Sequence, residues 1–288
     1  CIRESRHRMT LAFLRGVIPS PSSGSIHLGP LRLNAYGLMI AIGVIVAVRI
    51  AGRRAENKGV GTTEDISSIA MWAVPAGVIG GRAYHVITDY ERFQGQWFDA
   101  IKVWQGGLGI WGGVTVGVAV GWWSARKRGL DAWWIISCAA PAIAIAQAIG
   151  RWGNWFNQEL FGRPTTLPWA LEVSNNVAVK AGYAAGTTFH PTFLYESVGC
   201  VVLAWLLIRL ERRIKPARGR LFAWYVAGYT VLRFGTESLR IDASHNVGGM
   251  RLNQWVAIGV FVAAVLFLVV DRLRSQETPE ASTVLPHE

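Results

Sequence analysis

The sequence predicts an all-α polytopic membrane protein with about seven transmembrane helices and a small extracytoplasmic head. Three observations predict it. Hydrophobic residues make up 51% of the 288 and charged residues only 16%, against roughly 25% charged in ordinary globular domains. Apolar runs long enough to cross a bilayer, which takes about 17–25 residues, recur along the chain. Arginine and lysine gather in alternate loops between those runs, as membrane orientation requires.

The candidate spans are residues 33–52, 67–88, 107–124, 132–150, 191–209, 221–239 and 254–271. Dense basic loops follow the first span (Arg49, Arg53, Arg54, Lys58), the third (Arg126, Lys127, Arg128) and the fifth (Arg209, Arg212, Arg213, Lys215, Arg218, Arg220). The positive-inside rule puts these loops in the cytoplasm, with the N-terminus outside and the C-terminus inside a bacterial plasma membrane. The arginines at 3, 6, 8 and 15 run against that orientation. Met9 offers an alternative start that would remove three of them.

The domains expected are an N-terminal extracytoplasmic extension, 1–32, a seven-span body, 33–271, and a disordered cytoplasmic tail, 272–288. The body carries a head at 151–190, the one long inter-span loop, where WALEV reads as a short strand. Fourteen tryptophans and 32 glycines suit aromatic interfacial belts and close helix approach. The net charge of +11 invites a nucleic-acid partner, but the basic residues are dispersed between apolar runs, so no nucleic acid is expected. Cys1, Cys138 and Cys200 have neither metal-ligand nor disulfide spacing, and no metal site is expected.

Polar residues stand where lipid should be. In the sixth span, Tyr229, Arg233, Glu237 and Arg240 fall at i, i+4, i+8 and i+11, one stripe of a helix. An arginine or aspartate at mid-membrane costs about 2.5–3.5 kcal/mol on the insertion scale, so such a stripe marks function by default. The self-satisfied alternative is an Arg233–Glu237 pair at i,i+4. At the end of the fourth span comes GRWGNWFNQELFG, residues 150–162. If helix continues there, Arg151, Asn154, Gln158 and Glu159 share a face, and Gly150 and Gly153 permit close backbone approach. The bland reading, a snorkelling arginine with capping amides, handles one or two polar residues but not this many. Two arginines from different helices near the outer leaflet suggest a joint anion site, and in a membrane the obvious anion is a phospholipid headgroup. Three other motifs sit near the outer ends of spans: YGLM at 36–39, GGRAYH at 80–85 with Arg82, and HPTFLYE at 190–196.

GRWGNWFNQELFG is similar to the signature G-R-x-G-N-F-x-N-x-E-x-x-G of the bacterial phosphatidylglycerol–prolipoprotein diacylglyceryl transferases, with Trp155 at the pattern's Phe. YGLM, GGR, HPTFLYE and GYTVLRFGTESLR extend the resemblance from Tyr36 to Arg240, and IPSP and HLGP also look like that family. The resemblance implies seven spans, an extracytoplasmic head and no metal or organic cofactor. It implies transfer of a diacylglyceryl group from phosphatidylglycerol to the lipobox cysteine thiol of a preprolipoprotein, giving a thioether and glycerol 1-phosphate. The catalytic set expected is Arg233, Glu237, Tyr36 and His190. The phosphatidylglycerol-binding set is Arg151, Asn154, Asn157, Glu159, Gly162, Arg82 and Tyr229.

The residue types fit that chemistry. A leaving phosphate monoester gains negative charge in the transition state, and arginines stabilise it there. A thiol near pKa 8.5 needs a base or nearby positive charge to ionise. Some family members carry a third-span histidine in FHGG; here the text is GIWGG, with Trp111 at that place. The proton then goes to His85, His190, Tyr36 or Glu237, or arginine electrostatics favour the thiolate. The competing expectation is a transporter or binder of an anionic lipid or solute, which would be built on repeats and broken helices. No repeat is evident.

Overall fold

The computed structural model of the protein describes residues 16–28, 31–102, 109–242 and 246–277. Each of the seven apolar runs holds a helix there: α1 (Ala35–Asn57), α2 (Thr63–Thr88), α3 (Ile110–Lys127), α4 (Ala132–Gly150), then, past two short helices α5 (Trp152–Asn157) and α6 (Asn175–Lys180), α7 (Thr192–Ile214), α8 (Arg220–Leu239) and α9 (Leu252–Glu277). Four helical stretches among the described residues are long and apolar enough to cross a membrane by length and composition: Ala35–Asn57, Ala132–Asn157, Thr192–Ile214 and Leu252–Arg274. Large apolar side chains such as Ile45, Met71, Trp205 and Leu266 stand exposed, the surface a lipid-facing protein presents. The expected start at Met9, the arginines before residue 16 and the tail beyond 277 lie outside the described residues.

The chain divides into two compact units, residues 44–142 and the remainder. In the first of these, Thr62 opens α2 with a capping box: its side chain accepts the Asp65 N–H at 3.1 Å, and Asp65 accepts the Thr62 N–H at 2.9 Å. Helices α2 and α3 then pack backbone to backbone on glycine. A Cβ on Gly80 would fall 2.6 Å from the Gly112 carbonyl oxygen, and one on Gly112 would fall 2.2 Å from that of Gly80. Only small residues allow this approach, the usual solution where no hydrophobic drive pulls helices together. Pro75 and Pro141 sit inside α2 and α4, tolerated in apolar helices whose neighbours re-satisfy the freed backbone groups.

The other unit holds the short strands. β1 (Ile18–Pro19) pairs in parallel with β4 (Leu171–Glu172), which pairs antiparallel with β5 (Thr188–Phe189). β2 (Ser25–Leu28) and β3 (Leu31–Asn34) form a hairpin, as do β6 (Asn246–Val247) and β7 (Met250–Arg251). The strand expected in WALEV is therefore β4. The stretch expected as an N-terminal extension contributes β1 to the same sheet: the Ile18 N–H donates to the Ala170 carbonyl at 2.8 Å and the Ser20 N–H to the Glu172 carbonyl at 2.9 Å, and Trp155 Nε1 donates to the Pro19 carbonyl at 3.1 Å. Beneath the sheet, Phe161, Leu171, Val173, Ala178, Phe189 and Phe193 make one buried cluster. In the same unit Gly199 of α7 faces Leu232 of α8, and Gly228 of α8 faces Leu203 of α7, so these two helices also approach through glycine.

Candidate active site

Arg151 occupies the single residue between α4 and α5, and its backbone stays α-helical (φ −62°, ψ −25°). The helical course ends at Asn157, because Gln158 turns left-handed (φ 53°) and so does Leu160 (φ 58°). The expected face of Arg151, Asn154, Gln158 and Glu159 on one continuing helix is corrected accordingly. Gln158 leaves that face: its amide donates to the Pro21 carbonyl at 2.6 Å and accepts the Ser174 N–H at 2.7 Å. Glu159, beyond the helix, folds back so that Asn154 and Asn157 both donate to its Oε1, at 3.0 and 3.3 Å. The second glycine of the motif explains itself: a Cβ on Gly153 would fall 2.4 Å from the Tyr36 ring.

Across from Arg151 stands Glu196 of α7, with a side chain only 3% exposed. Its neighbour Ser197 fixes the helix, donating to the Ala148 carbonyl at 2.9 Å and accepting the Trp152 indole N–H at 3.2 Å. Arg151 Nε lies 2.5 Å from Glu196 Oε2, and Arg233 Nη1 donates to Glu196 Oε1 at 3.0 Å. The remaining Nη2 of Arg151 reaches the Tyr229 hydroxyl at 3.2 Å. Arg233 Nη2 lies 2.6 Å from Glu237 Oε2, so the i,i+4 pair does form. It is one link in a longer array, not a self-contained pair.

That array runs on. Glu237, fully buried, also meets Arg251 Nε at 3.1 Å, Arg240 Nη1 at 3.4 Å and the Asn253 amide at 3.1 Å. Arg240 grips Asp242 bidentately at 2.7 and 2.8 Å, and Arg251 Nη2 reaches the same carboxylate at 3.0 Å. The β6–β7 hairpin delivers Arg251: its two-residue turn is Gly248-Gly249, both at positive φ, as a type I′ hairpin demands. Burial alone would raise the Asp242 carboxyl, but Arg240 and Arg251 outweigh it and hold the group below the ordinary carboxylate range. Oε2 of Glu196 and of Glu237 accepts no well-angled hydrogen bond, so ionic attraction holds those two oxygens. Four guanidiniums face three carboxylates in the array, which leaves one positive charge for a ligand.

The other expected residues fall around this core or apart from it. Gly162 donates its N–H to the His190 carbonyl at 2.9 Å, and a Cβ there would fall 2.8 Å from His190 Cβ. The His190 ring itself sits 3.0 Å from the Tyr195 hydroxyl, which also takes the Trp169 indole N–H. Arg82 belongs to the 44–142 unit. It is buried there, donates to the Ala100 carbonyl at 2.8 Å and the Asp99 carbonyl at 2.5 Å, and lies over the Phe93 ring. The side chain of Trp111 lies outside those described.

A family model described as prolipoprotein diacylglyceryl transferase matches residues 24–270, which takes in every residue of the array. The chain belongs to the prolipoprotein diacylglyceryl transferase family. Among its relatives is the phosphatidylglycerol–prolipoprotein diacylglyceryl transferase of Streptomyces griseus, 51% identical over 268 residues, 91% of this chain and 79% of the relative. The enzyme of that name from Cutibacterium acnes is 47% identical over 94% of this chain and 92% of its own. That from Paenarthrobacter aurescens is 42% identical over 92% and 87%.

Membership in the transferase family gives the departure at Trp155 a physical meaning. Where the signature that the motif resembles has phenylalanine, this chain has an indole N–H, which adds a bond to the Pro19 carbonyl beside the backbone pairing of β1 with β4. Sequence reasoning passed over Glu196, Asp242, Arg251 and Asn253. Glu196 had a usable signal, a carboxylate inside an apolar span. The other three had only the Gly-Gly turn that brings Arg251 back towards α8.

Proposed function

We propose that this member of the family transfers the diacylglyceryl group of phosphatidylglycerol to the lipobox cysteine thiol of a preprolipoprotein. The carrying observation is the shared carboxylate: Glu196 holds Arg151 and Arg233 on its two oxygens, in a buried array with one surplus positive charge. A phosphodiester carries one negative charge and matches it. Guanidinium forks bind phosphate oxygens in pairs and stay charged in an apolar setting. In this reading Arg151, Arg233 and Tyr229 hold the diester, and Tyr36, Asn154, Asn157 and Glu159 flank the headgroup. Glu196 and Glu237 set the arginine spacing. Gly162 and His190 align the head over the site, and Arg82, held by the Ala100 and Asp99 carbonyls, braces the 44–142 unit.

The transfer forms a C–S bond at the glyceryl carbon and breaks the C–O bond to phosphate. The phosphate oxygen keeps the electron pair, the thiol gives up its proton, and glycerol 1-phosphate departs with one more negative charge. Fixed arginines therefore bind the transition state more tightly than the lipid, which is the condition for acceleration. The same positive field lowers the thiol's cost of ionising. In the membrane, seven spans place the basic loops after α1, α3 and α7 in the cytoplasm, with the 1–32 and 151–190 segments outside and the 272–288 tail inside. Purified protein given phosphatidylglycerol and a lipobox peptide should consume lipid and yield thioether-modified peptide one for one. Solute flux across vesicles with no lipid consumed would sink the reading.

A further inference from the structure

Beside the Arg151–Arg233 pair, and sharing Glu237 as a wall, lies an open cleft of about 600 Å³. Arg163, Arg240, Arg251, Asp242 and Asn246 line it with Glu237. Arg240 is 93% buried at its floor, its side chain only 7% exposed. Arg163 is fixed at its backbone, where its N–H donates to the Leu239 carbonyl at 2.9 Å and its carbonyl accepts the His190 N–H at 3.0 Å. Its guanidinium is exposed and, among the described residues, forms no ion pair. The cleft thus joins a free guanidinium at the rim to two held at the floor, with the Asn246 amide beside them. That combination fits a small anion that also carries hydroxyls.

We infer that this cleft holds the departing glycerol phosphate monoester. The inference rests on the transfer reading and adds where its product goes. On C–O cleavage the phosphate changes from a diester with one charge to a monoester with about 1.5–2 negative charges at neutral pH. The array around Glu196 is matched to the diester, so the extra charge is drawn to further guanidinium. Arg233 and Glu237 lie on α8 at i and i+4, and Arg240 caps its C-terminal end at i+7, so the move covers about 10 Å along the helix. Asp242 occupies the forks of Arg240 and Arg251 and competes with the incoming monoester, which keeps the product from staying.

The test uses the full-length protein in detergent, with ³¹P line broadening of added glycerol 1-phosphate read beside transfer activity in the same preparation. Arg163→Ala should weaken monoester binding about tenfold, the scale of one charge-assisted contact. Arg163→Lys should keep most of it, and Asp242→Asn should tighten it several-fold. The inhibition constant for glycerol 1-phosphate should move with these values, while the KM for phosphatidylglycerol moves less. Binding that is unchanged within twofold in Arg163→Ala, or that short-chain phosphatidylglycerol shows and the monoester does not, overturns the proposal. Weakened binding of both ligands with an equal rise in KM overturns it too, since that marks a single shared site. If wild-type protein binds the monoester through Arg163 yet transfers nothing, the transfer reading fails and the anion site stands.

Discussion

Arg151 and Arg233 come from different helices and meet on opposite oxygens of one buried carboxylate, Glu196, at 2.5 and 3.0 Å. Two guanidiniums this close would repel in an apolar setting, so the carboxylate between them is what allows the pair to exist. Removing one partner from a buried ionic array costs about 3–5 kcal/mol, because the others are left uncompensated.

Glu196→Gln keeps the shape of the side chain and removes its charge. We expect transfer activity to fall about 10²-fold, the scale set by a misplacement of roughly 1 Å. Glu196→Ala should also lower the unfolding temperature in detergent. Activity within threefold of wild type in Glu196→Gln would remove the spacing role assigned to this residue.

Arg151→Ala and Arg233→Ala should each reduce kcat/KM by about 10²–10³-fold, as loss of a group facing developing charge does. Lysine should not restore either, since an ammonium lacks the planar fork that spans two oxygens. The measurement is steady-state transfer with folding checked by gel filtration. Recovery of most activity by Arg233→Lys would mean that point charge alone suffices.

Gly153→Ala places a methyl 2.4 Å from the Tyr36 ring and must push the ring or the helix aside. We expect activity to drop about tenfold, and the loss to be non-additive with Tyr36→Ala, because the second change empties the space the first one needs. A double-mutant cycle measures this directly. Additive losses would show that the two residues act separately.

Gly80→Ala and Gly112→Ala address the α2–α3 contact instead. Each methyl would meet the other helix's backbone closer than atoms normally approach, and overpacking of this kind destabilises by about 1–3 kcal/mol. Unfolding in detergent micelles should register the loss. Variants as stable as wild type would mean that the helices separate without cost.

The pH dependence of the Arg240–Asp242–Arg251 cluster has a definite sign. Asp242's carboxyl is depressed in the folded protein by Arg240 and Arg251 in spite of burial. Its contribution is therefore present above the unfolded aspartate pKa of about 3.9 and lost as pH falls through the lower folded value. Stability should show no loss from this group between about pH 5 and 8, and a loss should appear below about pH 4. In Asp242→Asn that acid-side loss should be smaller.

Much of this was legible in the sequence, for identifiable reasons. Apolar runs fix where helices form, so each of the seven holds one. Arg233 and Glu237 fall on one stripe by periodicity, which needs no knowledge of neighbouring helices. Glu196 shows a carboxylate inside an apolar span, but its partners Arg151 and Arg233 lie far off in the chain, and periodicity does not reveal that pairing. Gln158 was misread because a left-handed backbone at that residue breaks the helical face, and glutamine gives no sign of it. Arg251 carries no local signal, because only the hairpin returns it to Glu237. His190 entered the catalytic set through the resemblance alone, and its ring lies 3.0 Å from the Tyr195 hydroxyl, a neighbour five residues on that periodicity does not single out.

The most direct measurement incubates wild type, Arg151→Ala and Arg233→Ala side by side with phosphatidylglycerol and a lipobox peptide, with products identified by mass spectrometry. We expect wild type to yield a peptide bearing a diacylglyceryl thioether together with glycerol 1-phosphate, and the two folded variants to yield almost none. Absence of the thioether from active-membrane preparations of wild type, or its formation at near-normal rate by either variant, would contradict the phosphate role of the pair that Glu196 holds.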